Sequence, residues 1–333
     1  MSQDQALPRA DHGLEAEQPG DGTMAPEQSG PAPTTRRRSL SDTGYAWLLV
    51  APALVIIFFF ALYPLGYAVA LSMRHVDLTS SVGIGPYVGL DNYRWALHDK
   101  QFWVSAGRTG LFALVVVVVE MSLGIWIAFL LNGLRWLKGL FRSFLLLPLA
   151  AAPAAVGLIW RNMYHADFGV FNSLVAGLHL PEQNWLGNQR LALPSVMLFD
   201  IWQWTPFVAV IVLAGLQSLP KEPFEAAELD GASTFMVLRR LTFPMLAPVL
   251  TLVFVLRSID AIRLYDPILM LTQGGPGTVT ETLTFYLYRV GMKFFRLDQA
   301  STMALLFLYA TIVFCLMVMR RLMRQMAERA ERR

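Results

Sequence analysis

Six long apolar runs divide the chain, separated by polar or small-residue stretches. The first covers 45 to 72, and the others lie at roughly 105 to 131, 141 to 162, 193 to 216, 243 to 266 and 302 to 322. Each supplies the twenty or so residues that a helix needs to cross the hydrocarbon of a bilayer. Valines 115 to 119 would suit a strand on their own, but they sit inside a much longer apolar stretch, and open strands cannot span lipid. Pro148, Pro153, Pro206 and Pro248 fall in or near the ends of these runs and predict kinks. The expected fold is all-α, a polytopic membrane protein with six transmembrane helices.

Composition agrees. Of the 333 residues, 55% are hydrophobic and only 15% charged, and the mean hydropathy is +0.46, far too apolar for a soluble domain of this length. Residues 1 to 44 are the exception. Rich in Pro, Gly, Ser, Gln and acid and without apolar periodicity, they are expected to form a disordered tail. They hold no apolar core for a secretory signal, and the run from Tyr45 to Ser72 is too long to be one. The lone Cys315 excludes an internal disulfide. The histidines, at 12, 75, 98, 165 and 179, lack metal-ligand spacing, so no metal is expected.

Basic residues set the orientation. With the N-terminus inside, the cytoplasmic segments hold sixteen Lys and Arg residues, among them Arg36 to Arg38, Arg135, Lys138, Arg142, Arg239, Arg240 and six arginines from Arg320 onward; the opposite side holds about nine. Positive charge favours the cytoplasmic side, so the N- and C-termini are both expected to be cytoplasmic. The chain then divides into the tail 1–44, a transmembrane unit 45–322 and a basic cytoplasmic tail 323–333. On the outer face, Phe168, Phe171, Leu174 and Leu178 have the spacing of a surface helix. The segment Gly274-Gly275-Pro276, also outside, lacks the Gly-Lys-Ser/Thr ending of a phosphate cradle.

A small, charged island separates the fourth and fifth runs. Pro223 suits the first turn of a short helix, and Asp230-Gly231 suits its end. Ala226 and Ala227 leave one side low enough for close approach of another protein, while Phe224 and Leu229 offer apolar anchors and Glu225 and Glu228 charge. With Gly231 six residues after Glu225, and Leu241, Pro244 and Pro248 following, the string Glu225-Ala226-Ala227 resembles the cytoplasmic coupling loop of ABC importer permeases. Tyr63-Pro64, Gly89 to Tyr93 with Phe102-Trp103, and the Gly274 loop resemble more narrowly the carbohydrate-uptake permeases of the maltose and glycerol-phosphate type. The likeness covers about residues 45 to 322.

The resemblance implies a multi-pass protein of the bacterial plasma (inner) membrane that passes a sugar, polyol or glycerol phosphate by alternating access. It implies a heterodimer with a second permease subunit, two copies of an ATP-binding subunit and an external solute-binding protein. ATP and Mg would sit on the partner ATPase, with no cofactor on this chain, which would be a transport subunit and not an enzyme. The chain has no Walker-type motif of its own. Membrane lipid surrounds it, and no nucleic-acid partner is expected. Coupling is expected through Glu225, Ala226, Ala227, Asp230, Gly231 and Pro244, in a loop covering 221–242, and Gly274, Gly275 and Pro276 are expected to face the binding protein.

Glu120, Asp200, Arg257, Asp260 and Arg263 fall inside the runs, where each charge near the bilayer centre costs roughly 2.5 to 3.5 kcal/mol. They must face one another or water. Arg257 and Asp260 are three apart, as are Asp260 and Arg263, so both pairs are placed to bond along one helix. Asp200 and Asp260 fall at similar depth. With Trp202, Gln203, Trp204 and Tyr265 they suggest a wet pocket in which aromatic faces stack on sugar rings and carboxylates accept hydroxyl hydrogen bonds. An ion-pair network holding helices together fits the same residues, and Glu120 is expected to be structural. An ion-coupled secondary transporter or channel acting without an ATPase would use these charges but leaves the 225–231 island unexplained. A membrane enzyme lacks a convergent His, Cys or Ser constellation.

Overall fold

The computed structural model describes residues 42–78, 83–134 and 138–331. Most of the expected N-terminal tail, and Arg135 of the basic count, lie outside them. The chain falls into two units, one up to Ile56 and one from Ile57 onward. Among the described residues the first is a single apolar helix, α1 (Asp42–Ile57), which runs through Pro52.

The second unit opens with a π-helical turn, Phe58–Leu62, leading into α2 (Tyr63–Ser72). Strands β1 (Arg74–Asp77) and β2 (Gly83–Tyr87) pair antiparallel, a small hairpin that the all-helical expectation omits. Helices α3 (Asp91–His98) and α4 (Lys100–Gly133) follow, and Asp99 caps α4 by accepting from the Gln101 amide at 2.8 Å. Then come α5 (Lys138–Ala150), α6 (Pro153–Met163), α7 (Val170–Gly177), α8 (Ala192–Gln217) and α9 (Glu222–Leu229). A short α10 (Thr234–Val237) passes through a π-helical turn, Leu238–Thr242, into α11 (Phe243–Ile262). The chain closes with α12 (Asp266–Leu271), α13 (Leu283–Tyr288) and α14 (Leu297–Glu331).

Among the described residues, five helices are long and apolar enough to cross a membrane: Tyr45–Ser72, Lys100–Gly133, Ala192–Gln217, Thr234–Ile262 and Leu297–Arg321. The third expected span, 141–162, is instead a bent pair, α5 and α6, meeting at 94°. Its break falls directly before Pro153. That ring lacks an N–H and pushes Ala152 into an extended conformation, with ψ 128°. Pro206 and Pro248, by contrast, are carried inside α8 and α11 without dividing them. Two π-helical turns sit just ahead of Pro64 and Pro244, and each contains the carbonyl four residues back that the proline ring would otherwise strike.

The fifth span differs at both ends from the expected 243–266. Its helix starts at Thr234 and ends at Ile262, so the second half of the expected 221–242 loop already belongs to it. Residues 323–331 likewise continue α14.

Close approach of α4, α8 and α11 positions the site. A β-carbon on Gly124 would stand 2.6 Å from Val208 Cβ, so only glycine lets α4 lie this near α8. Gly215 does the same between α8 and Val249 of α11, where the distance would be 3.0 Å. One buried cluster near the α9 end joins Ala128, Val208, Leu213, Leu246 and Val253. Another, around the start of α8, joins Phe112, Val116, Trp160, Phe199, Ile268 and Phe285.

Candidate functional site

Between these two clusters lies the one strongly charged layer within the described spans. Arg257 of α11, with 2% of its side chain exposed, bonds to three carboxylates on three helices. Its Nε donates to Glu120 Oε2 at 2.7 Å, and its Nη2 donates to Glu120 Oε1 and Asp200 Oδ2, both at 3.0 Å. Nη1 donates to Asp260 Oδ2 at 2.6 Å. The guanidinium carbon stands 4.8 Å from the ring centre of Trp204, a cation–π contact. Charges this deep are expensive unless mutually satisfied, and here α4, α8 and α11 each supply a member.

The arrangement unites most of the residues singled out in the sequence. A cavity of about 320 Å³ is lined by Trp204, Phe207, Leu256, Arg257, Ile259 and Asp260. A recess of about 110 Å³ is bordered by Asp200, Trp204, Asp260, Arg263 and Tyr265, together with Pro153 at the break between α5 and α6. Asp260, 52% exposed, and Trp204 belong to both. The expected Arg257–Asp260 pair forms, whereas Arg263 has no carboxylate within ion-pair distance among the described residues.

Two expectations need correction. Trp202 is not part of this wall: two residues beyond Asp200 it is turned by about 200° on an α-helix, and it packs on Trp160 at 5.2 Å and lines a different cavity with Phe141 and Pro148. Gln203 is buried but lines neither cavity, and among the described residues its Oε1 has no partner. Glu120, expected to serve structure through some neighbouring helix, is the two-pronged partner of Arg257. Its signal in the sequence was an acidic residue inside a span with no basic residue near it in sequence, which leaves a basic residue of another span as its partner.

The charged island forms the short helix expected of it. Pro223 lies in the first turn of α9, and Gly231, at φ +68°, ends it. The Gly231 amide donates to Glu228 O at 3.0 Å and the Ala232 amide to Ala227 O at 2.9 Å, the paired bonds of a Schellman turn. Glu225, Ala226 and Asp230 are exposed, and Leu229 is 90% exposed. Behind α9, a cavity of about 570 Å³ is lined by Phe129, Leu216, Phe224, Glu225, Glu228 and Thr242 among others.

At the other end, the glycine loop is packed rather than free. Gly274 is buried at φ +86°, and a β-carbon there would stand 2.8 Å from the Phe285 ring. Thr280, Glu281 and Thr282 follow it into the interior. Glu281 accepts from Gln101 Nε2 and pairs with Arg289 Nη2 at 2.9 Å; burial pushes its carboxyl above the usual range, against the lowering pull of Arg289. The Leu283 amide donates to Thr109 Oγ1 at 2.8 Å, and the Tyr286 hydroxyl donates to Asp99. The sequence reading missed this polar knot, because nothing in the spacing sets Glu281 apart from the threonines around it. The helix expected on the outer face is α7, pinned by Asn172, which donates to Ala166 O and Gln183 O at 2.8 and 2.9 Å.

Long apolar helices packed around a buried charge layer, with a short exposed helix at one end, are the architecture of a multi-pass membrane protein. The chain belongs to the family of binding-protein-dependent transport system inner membrane components, whose model matches residues 120–328. It is 38% identical over 281 residues to a probable ABC transporter permease protein of Sinorhizobium fredii, covering 84% of this chain and 90% of that one. It is 35% identical over 260 residues to the trehalose/maltose transport system permease protein of Thermococcus litoralis, covering 77% and 88%. The fold is shared with a chain of a bacterial ABC transporter involved in the import of the acidic polysaccharide alginate, with a TM-score of 0.74 at 20% identity, covering 85% of this chain and 97% of that chain. The protein is thus a permease of an ABC importer, multi-pass in the plasma membrane, and ATP hydrolysis resides in a separate subunit.

Proposed function

We propose that this permease carries a carbohydrate past Asp200, Trp204, Arg257, Asp260, Arg263 and Tyr265, and that α9 couples the movement to an ATPase through Glu225, Ala226, Ala227, Asp230 and Gly231. One observation carries the coupling: the exposed α9 is followed, after a four-residue turn, by a single helix, Thr234–Ile262, that bears both Arg257 and Asp260. At 1.5 Å per residue, 29 residues reach about 43 Å, more than the roughly 30 Å of bilayer hydrocarbon, which is long enough in this reading for the helix to start beyond the membrane at α9 and end at the cavity. Pro244 sits where this helix regains α-geometry after its π turn. The carbohydrate class is supported by the 35% identity to a trehalose/maltose permease.

In this reading α9 and both termini are cytoplasmic, in line with the basic residues, and the packed Gly274-Gly275-Pro276 loop faces an external solute-binding protein. The assembly contains a second permease and two copies of the ATP-binding subunit, which hold ATP and Mg. Closure of the ATPases moves α9 and switches the cavity between inward and outward access.

The test is ATPase activity of the purified complex in lipid, with and without binding protein loaded with trehalose, maltose, other sugars, polyols or glycerol phosphate. Stimulation by a loaded binding protein is the expected result. A chain that moves solute on an ion gradient with no ATPase attached would overturn it.

A further inference from the structure

Arg257 carries five N–H bonds, and four of them are directed at carboxylate oxygens of Glu120, Asp200 and Asp260. Its charge is therefore matched inside the protein wall and is not offered to a solute. The wall itself is acidic: the two cavities share Asp260, the recess adds Asp200 and Asp266, and Glu120 stands behind Asp200. Against these four carboxyl groups stand two guanidinium groups, Arg257 and Arg263. Asp260 uses only Oδ2 for Arg257; no protein donor within the described residues reaches Oδ1, and half of the side chain is open. Beside it the Trp204 indole borders both cavities.

An open carboxylate oxygen next to an aromatic face matches a hydroxyl group next to the C–H face of a sugar ring. A phosphate, sulfonate or uronate at the same place would set anion against anion, with the Arg257 charge already taken up by its three carboxylates. We propose that this wall selects electrically neutral, hydroxyl-rich solutes and rejects anionic sugars, with Asp260 as the specificity-determining residue. The proposal rests on the reading of Trp204 and Asp260 as walls of the carbohydrate pathway, and it removes glycerol phosphate from the candidate solutes.

The binding protein filters solutes itself, so the test uses the purified permease–ATPase complex without it. Labelled maltose or trehalose is bound at equilibrium and displaced by unlabelled sugars. Neutral disaccharides are expected to compete at least tenfold better than lactobionate or trehalose 6-phosphate. Asp260→Asn, which is isosteric, is expected to weaken the neutral sugar about tenfold and to narrow the gap between neutral and anionic competitors; Asp260→Glu keeps the gap and controls for disturbed packing. An anionic competitor as good as its neutral parent overturns the proposal, and loss of that competitor in Arg263→Gln would assign the anion to Arg263. A gap that Asp260→Asn leaves unchanged also overturns it. Both of these results leave the carbohydrate reading standing, whereas a complex that binds no sugar of either kind brings down both.

Discussion

Glu120 and Arg257, 137 positions apart in the chain, meet in a two-pronged ion pair, with Nε 2.7 Å from Oε2 and Nη2 3.0 Å from Oε1. Neither group has water to fall back on, since both side chains are at most 2% exposed. Glu120→Ala strands part of a buried guanidinium and is expected to cost about 3–5 kcal/mol. The check is the melting temperature of the complex in detergent. A variant that melts with the wild type would show that Asp200 and Asp260 suffice.

Gly231 stands at φ +68°, a conformation that glycine and, less readily, asparagine adopt. Gly231→Val strains the stop of α9 by about 1–2 kcal/mol and redirects the chain toward Thr234. It is expected to lower ATP-dependent uptake at least tenfold while membrane insertion stays normal, and Gly231→Asn is expected to retain most of the uptake. Equal uptake in the two variants would remove the turn from the coupling path.

Helices α4 and α8 touch where Gly124 faces Val208. Gly124→Leu must push them apart, and overpacking of this kind costs about 1–3 kcal/mol. Because the charge layer begins four residues away at Glu120, the separation also loosens the Arg257 bonds. Expected together are a lower melting temperature and weaker sugar binding; Gly124→Ala, whose β-carbon would already stand 2.6 Å from Val208 Cβ, is expected to show both losses to a smaller degree.

Burial raises the Glu281 pKa in the folded chain. The folded state then binds this proton more tightly than the unfolded chain, so the group weakens the fold above its folded pKa, and the penalty is relieved as pH falls through that value toward the ordinary one. Glu281→Gln has no such proton. The difference in melting temperature between wild type and variant is therefore expected to shift in favour of wild type as the pH is lowered toward the ordinary carboxylate range. A constant difference would show that Arg289 and Gln101 hold the carboxylate fully ionised.

The spans and α9 were legible in the sequence because each rests on a local rule: an apolar run of bilayer length, a proline in a first turn, a glycine after the last one. What escaped depends on relations between distant segments. Pro153 was visible as a kink but not as a 94° turn, since a proline in sequence marks a break without giving the backbone angles of the residues before it. Depth for Asp200 and Asp260, and sequence neighbourhood for Trp204, Arg263 and Tyr265, grouped residues that the structure places around one recess, while Trp202 lines a different cavity because depth says nothing of which way a side chain leaves its helix. Glu281 lies just before α13, and its partners, Gln101 of α4 and Arg289 just past α13, are linked to it by no spacing rule.

The unbroken run from Thr234 to Ile262 has a mechanical consequence. Arg257 pins it to two other helices near one end, leaving about 35 Å of rod on the Thr234 side and about 8 Å on the Ile262 side at 1.5 Å per residue. In the coupling proposed above, tilting about that pin would displace the two ends in a ratio of between about four and five to one. A broad swing at α9 would then be geared down to a small adjustment at the cavity rim, with the force delivered there raised in the same proportion.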